Sequence, residues 1–200
     1  MKKLAQRYEF ACVRVDIFAN QGLSVRFPFP FTLFGKDEDK KIAAFAENLD
    51  TEIILQTIAN AVNGLKEQGC AKIFLVGWSN GATYGILYAN KNPGIIGICG
   101  ISPVLVPDGK LARSMPIPGK FDLHQLYIYG TEDTKVPSMQ QDILQWVAAS
   151  PETKVQYIPL PGDHAFDTQW IGLIPIVGLY RPMSTKIAHT RLMTWISITP

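Results

Sequence analysis

Gly77-Trp78-Ser79-Asn80-Gly81 sets a serine among small residues, directly after the apolar run at 73–76 and directly before a largely apolar stretch beginning at Ala82. A serine hydroxyl is a poor nucleophile until a base takes its proton. That base is usually a histidine whose other ring nitrogen is held by a carboxylate. Of the chain's histidines, His164 follows the apolar run at 155–160, His124 precedes another, and His189 lies in the tail. The nearest carboxylates to weigh are Glu132 and Asp133, within Gly-Thr-Glu-Asp-Thr-Lys-Val-Pro at 130–137, and Asp163 beside His164. Asp163 is placed to form a turn, and His124 and His189 are expected in solvent. A serine, a histidine and a carboxylate together can carry acyl transfer without a cofactor.

Such residues must be held by a frame, and the pattern of the chain supplies one. The unbroken apolar run at 73–76 reads as a strand buried on both faces, as in a parallel sheet. A strand that turns sharply into a helix at a serine needs small neighbours, because the backbone is strained and crowded there. The helix beyond it aims its first N–H groups and its positive dipole end at any charge that develops on the serine side. Asn80 is expected to contribute its backbone N–H in this way, and Trp78 to shape a substrate pocket. Further strands are expected at 11–18, 95–101, 126–129 and 155–160, and helices at 48–66 and 138–149. Asp50 suits an N-cap of the first helix and Gly69 closes it. Residues 102–119 read as irregular. Strands alternating with helices imply a doubly wound, mainly parallel α/β sheet. In such a sheet the loops holding Ser79, Asp133 and His164 all leave the same, C-terminal edge.

Two hundred residues suffice for one α/β domain with a real core, best supported over 11–166, followed by an irregular tail at 169–200. The stretch at 26–35 alternates Phe and Pro and can be neither helix nor central strand, so it reads as a loop. A formal charge of +2 gives no case for nucleic acid, and no segment is long and apolar enough for a membrane span. Cys12, Cys70 and Cys99 are widely spaced in apolar surroundings. They read as reduced core residues of a cytoplasmic protein, not as a disulfide frame or a zinc site.

From 11 to 166 the chain resembles the α/β-hydrolase superfamily, on the strength of Gly77-Trp-Ser-Asn-Gly81, Gly130-Thr-Glu-Asp133-Thr-Lys-Val-Pro137 and Gly162-Asp-His164-Ala-Phe166. Within it, the last two motifs look like the acid and histidine motifs of the dienelactone hydrolase-like branch. The resemblance implies a catalytic triad of Ser79, Asp133 and His164 in the family's chain order. It selects Asp133 over Glu132 by its spacing to Val136-Pro137, and implies that Ser79 opens a nucleophile elbow with the Asn80 N–H as one oxyanion donor. Dienelactone hydrolases proper carry cysteine where this chain has Ser79, which points to an esterase-like member. The implied activity is a cofactor-independent serine hydrolase acting on a small ester or thioester. The strand and Gly-rich loop that supply the second oxyanion donor find no match, so the expected fold is an N-terminally truncated α/β hydrolase. That gap also admits an alternative, a non-catalytic relative that binds a ligand or partner.

Overall fold

Asp50 fixes the start of the first helix, α1 (Thr51–Glu67): its side chain accepts from the N–H groups of Glu52 and Ile53 at 2.9 and 3.3 Å, satisfying two donors that no helical carbonyl can reach. Ile54, Leu55, Ile58 and Val62 form its buried stripe. Gly69, at φ +86°, ends it; the Gly69 N–H donates to Lys66 O and the Cys70 N–H to Leu65 O, the two bonds of a Schellman cap. This helix belongs to the first of two compact units, Met1–Ala71 and Lys72–Pro200. The computed structural model describes residues 49–164, apart from 108, 137, 152 and 153, together with 11, 13 and 15. The expected strand at 11–18 therefore lies largely outside the described residues; Ala11, Val13 and Val15 belong to no strand or helix. The Phe/Pro loop, Cys12, His189 and the tail from 169 lie outside them altogether.

The second unit is built on four parallel strands in spatial order β1 (Ile73–Trp78), β2 (Ile95–Ile101), β3 (His124–Gly130) and β4 (Val155–Leu160). The helix α2 (Asn80–Lys91) joins β1 to β2, and α4 (Met139–Ala149) joins β3 to β4. Between β2 and β3 lie only the short helix α3 (Gly109–Ala112) and a 3₁₀ turn, Pro118–Lys120. The register pairs Trp78 with Ile101, Ile101 with Ile128, and Gly130 with Leu160. All four strands thus finish on one edge of the sheet. Pro159, which lacks an N–H, is tolerated because β4 is the outermost strand on its side of the described sheet.

Both faces of the central strands are buried, as a doubly wound sheet requires. One face carries Cys99, Leu126, Ile128 and Leu160, with Phe74, Ile101 and Ile158 packed against them. The other carries Gln125 and Tyr127. There Gln125 Oε1 accepts from the Tyr127 hydroxyl at 2.7 Å and from the Trp146 indole of α4 at 2.8 Å, and its amide nitrogen donates to Phe121 O. A fully buried amide is stable only when paired in this way. Burial pushes the Cys99 thiol pKa up. It also pushes that of the Tyr127 hydroxyl well up, with the neighbouring Cys99 adding to the rise. The helix α2 is buried without interruption from Ala82 to Ala89. Among the described residues no helix is long and apolar enough to cross a membrane.

Candidate active site

At the end of β1 the chain reverses into α2 through Ser79, whose backbone sits at φ 53°, ψ −129°. Such a conformation costs a non-glycine residue about 1–3 kcal/mol and persists only where its surroundings enforce it. Two hydrogen bonds do so: the Ser79 N–H donates to Ile101 O at 2.9 Å, extending the β1–β2 ladder, and Ser79 O accepts from the Ala82 N–H at 3.0 Å. Gly77 is dictated by the same turn. A Cβ there would lie 2.3 Å from Ala82 N and 2.4 Å from Gly81 C, inside the backbone of the helix start. Gly81 is different: a Cβ there meets no described atom within 4 Å. Asn80, the first residue of α2, is exposed, and among the described residues no acceptor is paired with its N–H. That N–H is one of the orphan donors of a helix start.

The structure brings Asp133 and His164 together. Asp133 leaves the end of β3 in a tight turn in which its Oδ1 accepts from the N–H groups of Lys135 and Val136, at 2.8 and 3.1 Å. Its Oδ2 lies 2.6 Å from His164 Nδ1. The carboxylate is almost wholly withdrawn from solvent, its side chain 3% exposed against 14% for His164. A carboxylate can only accept, so Nδ1 carries the proton of this contact, and in the neutral ring the lone pair that a base needs is then on Nε2. The two loops are clamped to each other through the backbone: Thr131 N–H donates to Leu160 O and Glu132 N–H to Gly162 O, both at 2.9 Å. Gly130 lets them close, since a Cβ there would lie 2.3 Å from Gly162 O and 2.4 Å from Asp163 O.

Trp78 turns its side chain toward the same histidine. Its indole N–H donates to His164 O at 3.0 Å, and the two rings lie 5.3 Å apart, tilted by 51°. Among the described residues no hydrogen bond joins Ser79 Oγ to His164 Nε2. Glu132 is exposed, and only its backbone N–H enters the loop contact. His124 is the first residue of β3, half-buried and paired with Gly97. It thus stands at the opposite end of the sheet from Asp133 and not in a connecting segment. Among the described residues no group of His, Cys, Asp and Glu could hold a metal ion.

One residue of this edge was not singled out by sequence. Ser102, the first residue after β2, is fully buried at φ 44°, and its N–H donates to Ile128 O at 2.7 Å. Among the described residues its hydroxyl has no hydrogen-bond partner. Its only signal in the sequence is a Ser-Pro pair at a strand end.

No protein-family model matches the sequence, and no curated protein matches it significantly. Solved structures do match the fold. A protein of Klebsiella pneumoniae assigned as a dienelactone hydrolase superposes with a TM-score of 0.60 at 20% identity, over 76% of this chain and 64% of the other. A metagenome-derived lipolytic enzyme gives 0.54 at 17% identity, covering 74% and 73%. A dienelactone hydrolase-like promiscuous phosphotriesterase from metagenomic libraries gives 0.53 at 15%, covering 81% and 66%. The chain thus spans just under two thirds of the dienelactone hydrolase's length. With four parallel strands in sequential order and these neighbours, the chain has the α/β-hydrolase fold.

Proposed function

We propose that this chain is a serine hydrolase that cleaves a small ester or thioester through an acyl-enzyme on Ser79. The observation that carries the reading is the part-buried 2.6 Å contact between Asp133 and His164, on the sheet edge where Ser79 emerges in its strained turn. The fold neighbours, named for dienelactone, phosphotriester and lipid hydrolysis, support hydrolysis as the reaction class.

In this mechanism Ser79 Oγ bonds to the substrate carbonyl carbon as its proton passes to His164 Nε2. The carbonyl electron pair moves onto oxygen, and the Asn80 N–H donates to the oxyanion so formed. Collapse restores the carbonyl and breaks the bond to the alcohol or thiol, which leaves with the proton from Nε2. A water molecule then gives a proton to Nε2 and adds to the acyl carbon. The second collapse frees the acid and returns the proton to Ser79 Oγ. Asp133 holds the imidazole in the tautomer this requires and stabilises the imidazolium between steps. Cys70 and Cys99 are free thiols, in keeping with a cytoplasmic location for the enzyme.

A second reading, a non-catalytic protein that keeps the fold to bind a ligand, draws on the missing hydrogen bond between Ser79 and His164 among the described residues. A fluorophosphonate probe separates the two. An activated serine is labelled in the wild type and not in Ser79→Ala. No labelling of the wild type leaves the binding reading standing, and labelling that persists in Ser79→Ala removes Ser79 as the nucleophile.

A further inference from the structure

Trp78 lies immediately before the candidate nucleophile, yet its indole reaches the histidine loop, 86 residues further along the chain. We propose that Trp78 is the positioning residue for His164, and that this contact, more than any contact with substrate, is what position 78 contributes. The proposal rests on the reading of His164 as the general base.

The argument is one of counting constraints. His164 follows β4 by four residues, with Gly162 at φ 140° in between. A loop of that kind has little of its own to fix a side chain. Asp133 grips the imidazole at Nδ1, which sets one point of the ring. That contact and the bond to Cβ fix the ring only as well as the backbone beneath it is fixed, and any shift of that backbone pivots the ring about Nδ1 and moves Nε2, the atom that must meet Ser79 Oγ. The indole of Trp78 adds two further constraints. Its N–H fixes the His164 carbonyl, hence the backbone from which the side chain departs. Its ring, at 5.3 Å and 51°, packs in the tilted geometry that aromatic pairs favour and so limits rotation. The indole also joins the base to the rigid element that carries the nucleophile, since Trp78 is the last residue of β1 and pairs with Ile101 of β2. The distance between serine and base is then set by one covalent step and one hydrogen bond, not by the reach of two independent loops.

Two substitutions divide these contributions. Trp78→Phe keeps an aromatic ring and removes the donor; Trp78→Ala removes both. With a p-nitrophenyl ester of short chain, Trp78→Phe is expected to lower kcat about 10-fold, the size of one hydrogen bond's net contribution, and to leave KM within twofold. Trp78→Ala is expected to lose more, again in kcat. The thermal midpoint of each variant establishes that it folds. Imidazole ¹⁵N NMR supplies a readout independent of turnover: the wild-type His164 resonances should be single and sharp, and those of Trp78→Phe shifted and broadened by exchange among ring positions, with the proton still on Nδ1 because Asp133 is untouched. Variants whose His164 resonances match the wild type, or whose loss falls in KM with kcat intact, would overturn the proposal and make Trp78 a pocket wall. A wild type that neither turns over nor takes the fluorophosphonate probe would overturn the hydrolase reading instead, while the imidazole spectra would still decide whether Trp78 holds His164.

Discussion

Gly130→Ala should disable the site by pushing its histidine away from its carboxylate. The methyl carbon would lie 2.3 Å from Gly162 O and 2.4 Å from Asp163 O, whereas a carbon and a carbonyl oxygen normally stay ~3.3 Å or more apart. The loop carrying His164 must therefore withdraw by about 1 Å. Neither oxygen can swing aside cheaply, because both belong to backbone and the Gly162 carbonyl already accepts from the Glu132 N–H at 2.9 Å. A withdrawal of that size takes the 2.6 Å contact between Asp133 and His164 beyond hydrogen-bond distance. Misplacing a catalytic group by 1 Å typically costs about 100-fold in rate, and forcing a methyl into a packed site costs about 1–3 kcal/mol of stability. The expected result is a kcat reduced about 100-fold, with a thermal midpoint lowered but a cooperative transition retained. Gly81→Ala is the matched control: the added methyl meets no described atom, so activity should hold and stability change by less than about 1 kcal/mol. A Gly130→Ala enzyme with kcat within twofold of the wild type would refute the reasoning, since the two loops would then have slack that the geometry denies them.

Asp133→Asn should fold normally and lose about 10⁴-fold in kcat through the wrong imidazole tautomer, while Glu132→Gln should turn over like the wild type; the reverse pattern would make Glu132 the acid. Ser102→Ala deletes a buried hydroxyl that has no partner among the described residues and should raise stability by about 1–3 kcal/mol, read from the urea midpoint; a lower midpoint would mean that the hydroxyl is satisfied. Cys99 and Tyr127 are held neutral by burial, with folded-state pKa values above the ordinary 9.0 and 10.0. Their contribution is complete below pH 9 and is lost as the pH climbs past those ordinary values, because the unfolded chain then releases protons that the native state keeps. Thermal midpoints measured from pH 8 to 11 should fall steadily above about pH 9, and a flat profile would count against both groups being buried in the native protein.

What was legible in the sequence followed from local pattern. The strands at 95–101 and 155–160 have the bounds that their apolar runs announce, and Asp50 and Gly69 cap α1 as their types imply. Boundaries slipped where polar residues belong to a strand. β3 begins at His124, not Leu126, and includes Gln125, which looks foreign to a buried strand until Tyr127, Trp146 and Phe121 are seen to satisfy its amide. β1 runs on to Trp78 because the ladder to β2 continues up to the turn at Ser79. The short helix at Gly109–Ala112 is less than two turns and leaves no periodicity to detect. The contact of Trp78 with His164 could not be read at all, because nothing local to either residue encodes a partner that distant in the chain.

The site also explains why its strain can persist. Ser79 and Ser102 follow adjacent strands, both at positive φ, and each donates its N–H to a carbonyl of the next strand, Ile101 O and Ile128 O. Neither backbone could relax without breaking a ladder bond to a central strand. Relief of one strained residue, worth about 1–3 kcal/mol, would thus forfeit a buried hydrogen bond whose unmade groups cost about as much. Thr83 adds a further tie, its hydroxyl donating to Val104 O at 2.6 Å, so that α2 and the segment after Ser102 move as one piece. A parallel sheet places all its strand ends on one edge, and these ties make that edge rigid enough to hold Ser79 in a conformation that it would abandon in isolation.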